Sequence, residues 1–140
     1  MILVTGGTGL VGSHLLYKLA EKETNIRATY RSESKLKRVK HIFSYYTKNS
    51  DALFNKIDWV EADITDIPKL TEAFVGITKV YHCAAMVSFD PNDYYTLRHI
   101  NIEGTANIIN FCLANSIKKL CYVSSIATVG LSPEGTPIDE

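Results

Sequence analysis

The chain has little cysteine, no excess of charge of either sign and few histidines. Its three cysteines lack the C-x-x-C spacing of a zinc or redox site and lie in apolar segments, which indicates buried thiols in a reducing compartment. Lys and Arg total 15, as do Asp and Glu, so the net charge favours neither a nucleic-acid partner nor an anionic membrane. The four histidines show no ligand spacing, and no metal site is predicted.

Long apolar runs are also missing. No run approaches the roughly 18 residues that a membrane-spanning helix needs. The first predicted strand starts at the second residue, which leaves no room for a signal peptide, so we expect a cytoplasmic protein. With 46% hydrophobic residues among 140, the chain can bury one core, and one domain is expected.

A glycine-rich stretch stands near the start of the chain. The sequence TGGTGLVG at residues 5–12 follows the apolar run 2–4 and precedes leucines at helical spacing. A strand, a glycine turn and a helix in this order are typical of dinucleotide binding. Gly6 permits a sharp turn, Gly9 leaves room for a pyrophosphate, and Gly12 lets the helix pack against the strand. The alternative is a turn that serves packing alone. The predicted cofactor contacts here are Gly6, Thr8, Gly9, Leu10, Val11 and Gly12, with the phosphates at the helix N-terminus.

Strands and helices alternate along the rest of the chain. Further strands are predicted at residues 26–30, 57–62, 79–84 and 119–124, with a helix starting after Ser32 and another from Ile67 to a stop at Gly76. Segment 44–56 is interpreted as a helix end plus loop, and 131–140 as loop. This alternation predicts an α/β fold of the Rossmann type, a doubly wound parallel sheet of order 3-2-1-4-5 with the cofactor between strands 1 and 4.

One long helix is predicted from Asn92 or Asp93 to Asn115. Its buried face is expected at Ile102, Ala106, Ile109 and Leu113. Gly104 weakens such a helix by roughly 1 kcal/mol, which predicts close packing at that position.

Four blocks of sequence carry a resemblance to a known family. They are the glycine turn, ADITD at 62–66, HCAA at 82–85, and NIEGTAN at 101–107 together with YVSS at 122–125. Together they resemble the extended short-chain dehydrogenases, a superfamily of nucleotide-sugar epimerases, dehydratases and dihydroflavonol-type reductases. The stretches RATYR at 27–31 and KRVKH at 37–41 look most like the reductase branch.

The resemblance implies roles for further residues. Asp63 and Ile64 would contact the adenine, Asn101 would brace the site from the long helix, and Ser125 would be the active-site hydroxyl, with Ser124 or Thr128 as alternatives. The remaining implied cofactor contacts are Ala84, Ala85, Met86 and Ser124.

The family's proton carrier, Tyr-x-x-x-Lys, does not occur in these residues. Tyr94-x-x-x-Arg98 is a near match, but it lies before strand 5 instead of following it. In the family, the lysine lowers the pKa of the tyrosine, which acts as acid and base. We therefore expect the amino-terminal part of a longer protein, truncated after strand 5, without its substrate-binding part and inactive alone.

The end of strand 2 bears on the choice of cofactor. NAD-specific sheets usually carry an acid there, and none stands at Tyr30, Arg31 or Ser32. Arg31 suits a 2′-phosphate, which favours NADP, with NAD still possible. The alternative is a solvated basic helix start in which Lys35, Lys37 and Arg38 are simply exposed.

Three functions are compatible with these features. The first is the NAD(P)-binding part of an oxidoreductase that moves a hydride between nicotinamide and a carbonyl or alcohol carbon of a small-molecule substrate. The second is a nucleotide-sugar epimerase or dehydratase that uses NAD. The third is a non-catalytic NAD(P) sensor. A homodimer is a possible assembly for any of them.

Overall fold

A parallel five-stranded sheet forms the centre of the computed structural model, which describes residues 1–128, 130, 132 and 136. The strand order is β3-β2-β1-β4-β5, which confirms the predicted fold class. Every pairing is parallel, and Ile2 in the middle strand lies opposite Ile26 on one side and Lys79 on the other. The strands are β1 Ile2–Thr5, β2 Ile26–Tyr30, β3 Ile57–Glu61, β4 Lys79–His82 and β5 Lys119–Tyr122. Most of the loop expected over 131–140 falls outside the described residues.

Six α-helices connect the strands within the described residues. They are α1 Leu10–Ala20, α2 Leu36–Ser44, α3 Ser50–Asn55, α4 Ile67–Ala73, α5 Tyr94–Arg98 and α6 Thr105–Ala114. Short 3₁₀ turns lie at Glu33–Lys35, Pro91–Asp93 and Ile126–Thr128, and a π-helix at His99–Gly104 joins α5 to α6. In the part of the chain that the structure covers, no helix is both long enough and apolar enough to cross a bilayer.

Each face of the sheet has its own core. On one face, Val4 and Ile26 pack with Leu16 of α1 and Phe43 of α2. On the other, Leu3 and Val80 pack against α4 and α6 through Leu70, Phe74 and Ile108. Because successive side chains of a strand point to opposite faces, the adjacent Leu3 and Val4 serve the two cores separately.

The glycine turn is packed as the sequence predicts. Gly6 has φ +69°, and a Cβ there would lie 2.6 Å from the Ala84 backbone nitrogen. A Cβ at Gly12 would overlap the carbonyl oxygen of Gly6. Side chains are excluded at both positions, so β1, α1 and the segment after β4 can approach one another closely.

Both ends of α4 are stabilised by polar side chains. At its start, Asp66 accepts a hydrogen bond from the N–H of Lys69 at 3.1 Å, and the helix stops before Gly76, which has φ +74°. At its end, Arg27 of β2 donates to the carbonyls of Glu72, Ala73 and Val75 at 3.1–3.3 Å. Arg27 also donates to Asp58 on β3, so one side chain joins two strands to the end of a helix.

The long helix differs from its prediction. Its segments follow one another without a break along the chain but change from α to π and back to α, and its predicted buried face was wrong. Ile102, Ala106, Ile109 and Leu113 are exposed, while Gly104, Ile108 and Cys112 face the sheet. A Cβ at Gly104 would lie 2.6 Å from the side chain of Ile64, which confirms the close packing expected there. Both sides of this helix are apolar, so periodicity alone could not choose between them.

Two smaller expectations were also wrong. Segment 44–56 contains α3, whose Phe54 is buried and stacks on Trp59 with ring centroids 5.0 Å apart. Strands β3, β4 and β5 each end one or two residues before the predicted boundary. The residues left over at the ends of β3 and β4, Ala62, Cys83 and Ala84, form the wall of a cleft.

Candidate cofactor site

A cleft opens at the carboxyl ends of β1, β2 and β4, where the strand order reverses. Open α/β sheets bind their ligands at such a switch point. Eight residues predicted as cofactor contacts line it: Gly6, Thr8, Gly9, Arg31, Asp63, Ile64, Ala84 and Ala85. It also takes in residues that sequence reasoning did not assign to the site: Thr29, Tyr30, Lys35, Arg38, Ala62, Cys83 and Ile100.

The glycine turn presents the start of α1 to this cleft. The N–H of Gly9 donates to Gly6 and its carbonyl accepts from Ser13, at 2.9 and 3.0 Å. Within the described residues, no side chain caps α1 and no acid stands in its first turn, where Leu10 and Val11 are exposed. The N–H groups of that turn are therefore available to an anion, and the helix dipole favours one. A pyrophosphate fits this arrangement.

Asp63 also lines the cleft and is held as a carboxylate. The N–H and hydroxyl of Thr65 donate to its Oδ1 at 2.9 and 2.8 Å, and Arg31 Nη1 lies 3.5 Å from its Oδ2. Burial works to raise the pKa of Asp63, but the Thr65 donors and the Arg31 charge outweigh it and lower that pKa. Oδ1 accepts two hydrogen bonds, whereas the contact of Oδ2 with Arg31 is longer, so Oδ2 has more capacity to accept from an incoming ligand.

Three cations line the same cleft. Arg31 follows β2, Lys35 ends the 3₁₀ turn and Arg38 lies on the first turn of α2, and all three line the cleft wall. Lys37 is exposed and lies outside this wall. The spacing of three between Lys35 and Arg38 indicates that they share one helical face, but only the fold shows that this face lies against the cleft.

Asn101 joins the π-helix to the segment after β4. Its side-chain amide donates to the carbonyl of Met86 at 2.9 Å, and its Oδ1 accepts from the N–H of Met86 at 2.8 Å. We call this pair of bonds the Asn101–Met86 clamp. The clamp fixes the main chain that continues from the cleft-lining Ala84 and Ala85, although neither clamp residue lines the cleft wall that the structure describes.

The candidate active-site hydroxyls lie just beyond β5. Thr128 Oγ1 donates to the carbonyl of Ser125 at 2.6 Å and lies 3.4 Å from Ser124 Oγ. All three are exposed, and the described wall of the cleft includes none of them. Tyr94 and Arg98, the near match to the proton carrier, form a surface pair in which the guanidinium lies 5.7 Å from the ring centroid.

His82 is buried beneath the cleft, at the end of β4. Its Nδ1 lies 2.6 Å from Thr5 Oγ1, its Nε2 lies 3.0 Å from Thr105 Oγ1, and its ring stacks on Tyr122. Burial lowers the pKa of His82 from 6.5 to about 4, so the imidazole is neutral at physiological pH. No group of three or more potential metal-ligating side chains is found among the described residues.

Comparisons with known proteins agree with this geometry. The model of the NAD dependent epimerase/dehydratase family matches residues 2–140. A dihydroflavonol 4-reductase of Callistephus chinensis is 34% identical over 139 residues, covering 98% of this chain and 37% of that protein. A putative dihydroflavonol 4-reductase of Synechocystis is 31% identical, covering 98% of this chain and 36% of that protein.

Solved structures show the same fold. A short-chain dehydrogenase/reductase superfamily protein from Agrobacterium tumefaciens, solved with bound NAD, has a TM-score of 0.70 and 25% identity, covering 89% of this chain and 32% of that one. The chain thus spans a little over a third of the length of the curated relatives it matches.

Proposed function

This chain belongs to the NAD dependent epimerase/dehydratase family, and from that premise we propose that it is the dinucleotide-binding part of an NADP-dependent oxidoreductase. The observation that carries the proposal is the convergence of the bare N-terminus of α1, Asp63 and three cations on one cleft. The substrate class is a small molecule with a carbonyl or alcohol carbon, as in the reductase relatives.

The chain's own residues divide the binding work. The glycine turn and the first turn of α1 hold the pyrophosphate through main-chain N–H groups. Asp63 Oδ2 accepts a hydrogen bond from the adenine amino group, and the segment 84–86, fixed by the Asn101–Met86 clamp, orients the nicotinamide end. When bound, the cofactor supplies or accepts a hydride. One hydroxyl among Ser124, Ser125 and Thr128 polarises the substrate oxygen.

Preference for NADP is supported by the three cations. A 2′-phosphate carries more negative charge than a ribose hydroxyl, and Arg31, Lys35 and Arg38 already line the wall where β2 ends. Each charge-assisted contact contributes about 1.5–3 kcal/mol, which corresponds to about 10- to 150-fold in affinity.

An epimerase or dehydratase that uses NAD is the second candidate. It is favoured by the ion pair between Arg31 and Asp63, because that pair already partly neutralises the first of the three cations. The family description names epimerases and dehydratases.

Calorimetric titration of NADPH and NADH separates the two candidates. We expect tighter binding of NADPH, and a loss of about 10- to 150-fold for NADPH alone in both Arg31→Ala and Arg38→Ala. Lys37 lies on α2 with Arg38 but outside the cleft, so Lys37→Ala is the matched control and should keep the full affinity for NADPH. Equal losses for the two cofactors would favour the NAD-dependent candidate, and no binding of either would reject the proposal.

We also propose that these 140 residues turn over no substrate alone. Tyr-x-x-x-Lys does not occur among them, so the residues that carry the proton in the family are missing. A reductase assay of the 140-residue chain tests this, and measurable NADPH-dependent carbonyl reduction would contradict it.

A further inference from the structure

Three separate segments meet around the cofactor cleft. They are the glycine turn after β1, the residues after β4 that end in Met86, and the π-helix that carries Asn101. One buried side chain, His82, is bonded to the residues that adjoin the first and third of these segments. It directly precedes the second.

We propose that His82 is a positioning residue, which fixes the junction of the π-helix and α6 through Thr105 and thereby keeps Asn101 in register with Met86. Its effect on the dinucleotide rests on the proposed function, whereas its effect on the Asn101–Met86 clamp does not.

Bond geometry around His82 supports this role. Thr105 is the first residue after the π-helix, and its hydroxyl lies 3.0 Å from Nε2. Thr5 directly precedes Gly6, and its hydroxyl lies 2.6 Å from Nδ1. A neutral imidazole has one donor and one acceptor nitrogen, and a hydroxyl can play either part, so both contacts are satisfied together. Stacking against Tyr122, with centroids 5.4 Å apart, fixes the plane of the ring.

The π-helix explains why an anchor at Thr105 matters. A π turn contains one residue more than an α turn and is rare without an external constraint. If His99–Gly104 relaxed to α-helix, the residues before Thr105 would turn by about 100° relative to α6, since an α-helix has 3.6 residues per turn. Asn101 would then leave Met86. Two contacts hold the end of the π-helix in place: Gly104 against Ile64, and Thr105 on His82.

Amide hydrogen exchange of the 140-residue chain tests the coupling, with Thr105→Val as the variant. Valine keeps the shape of threonine and replaces the hydroxyl by a methyl group, so the fold is less at risk than in a His82 variant. The N–H of Met86 reports on the clamp because it donates to Asn101. We expect its exchange to accelerate about tenfold while the amides of β1 and β2 are unchanged. Thr105→Ser keeps the hydroxyl, so the N–H of Met86 should exchange at the wild-type rate in this variant.

Thr71→Val is the matched control, because the Thr71 hydroxyl donates only to Ile67 within its own helix. Unchanged exchange at Met86 in Thr105→Val would overturn the proposal, as would a uniform acceleration of all amides, which would show loss of global stability alone. NADPH affinity should fall several-fold in Thr105→Val. If the wild-type chain binds no dinucleotide, the proposed function fails, while the exchange at Met86 still decides the positioning role.

Discussion

Substitutions at two glycines of the same turn are expected to affect different properties: Gly9→Val the binding of the dinucleotide, and Gly12→Ala the stability of the fold. Gly9 has φ −79° and ψ 174°, an extended conformation that any residue adopts, and its Cβ would meet only the Gly6 carbonyl oxygen, at 3.2 Å. Gly9→Val should therefore change the free energy of unfolding by no more than about 1 kcal/mol. It should nevertheless abolish dinucleotide binding, because the side chain occupies the path of the pyrophosphate.

Gly12→Ala should act on the fold. Its Cβ would overlap the Gly6 oxygen and lie 2.9 Å from the Gly6 carbonyl carbon and 3.1 Å from Gly7 Cα. These are backbone atoms, so α1 itself must move away from the turn. Overpacking of this kind costs up to about 3 kcal/mol, and the higher helix propensity of alanine returns about 1 kcal/mol. The net destabilisation should be about 2 kcal/mol.

Urea unfolding followed by circular dichroism, with calorimetric titration of each variant, measures both effects. Full NADPH affinity in Gly9→Val would refute the assignment of the pyrophosphate to this turn. A Gly12→Ala variant as stable as the wild type would refute the packing argument, whatever its affinity.

Three further predictions concern His82, Arg27 and β5. Because the folded chain lowers the pKa of His82 from 6.5 to about 4, the unfolded chain takes up the proton first. The stability that this residue contributes is complete above pH 6.5 and is lost as the pH falls towards 4, by about 2 kcal/mol between pH 7 and pH 5. The difference in unfolding free energy between the wild type and His82→Gln, followed against pH, measures this loss. A difference that does not change with pH would contradict the prediction. Arg27→Met keeps the apolar stem but leaves three carbonyls at the end of α4 without their donor, and should lower the unfolding free energy, measured in urea, by about 2 kcal/mol. An effect as small as that of Lys18→Met, a control at an exposed position, would show that these bonds contribute little. The 140-residue chain should self-associate in light scattering through the open edge of β5, where Leu120 and Tyr122 are 39% and 49% exposed, and Leu120→Lys should reduce the association; a monodisperse wild-type monomer would rule this out.

The sheet could be predicted from sequence because its signals are local. Each strand is a short apolar run that ends at a turn or a polar residue, and the glycine turn fixes which strand comes first in a dinucleotide-binding unit. Strand order then followed from the type of fold that this turn indicates, and β2 was predicted to the residue. Boundaries at β3 and β4 were less accurate because Ala62, Cys83 and Ala84 are as apolar as the strands they follow, yet they serve the cleft.

The long helix could not be predicted in the same way. Its exposed stripe, Ile109 and Leu113, is as hydrophobic as its buried stripe, Ile108 and Cys112, so the pattern has two equivalent solutions. The π-helix adds a shift in phase that no local propensity signals. Only tertiary contacts select the face, above all the fit of Gly104 against Ile64.

In the candidate site, the residues near the glycine turn were easier to find than the cations. Arg31 was singled out by its position after β2, but its pairing with Asp63 joins residues 32 positions apart in sequence and depends on how β2 and β3 align. Lys35 and Arg38 look like an ordinary solvated helix start until the fold turns them towards the cleft. His82 lies in the core, and its two hydroxyl partners, Thr5 and Thr105, are far apart in sequence, so no local pattern links them.

The central position of β1 leaves one of its edges unpaired for part of the chain's synthesis. β1 is made before both of its neighbours, and its partners Ile26 and Lys79 emerge at very different times. At about 5–20 residues per second, the interval between them lasts about 3–10 seconds. Throughout it, one edge of the apolar strand Ile2–Thr5 has no partner on the nascent chain. Slow translation between residues 30 and 79 would prolong that exposure, so a strand that is central in the finished sheet is an open edge during synthesis.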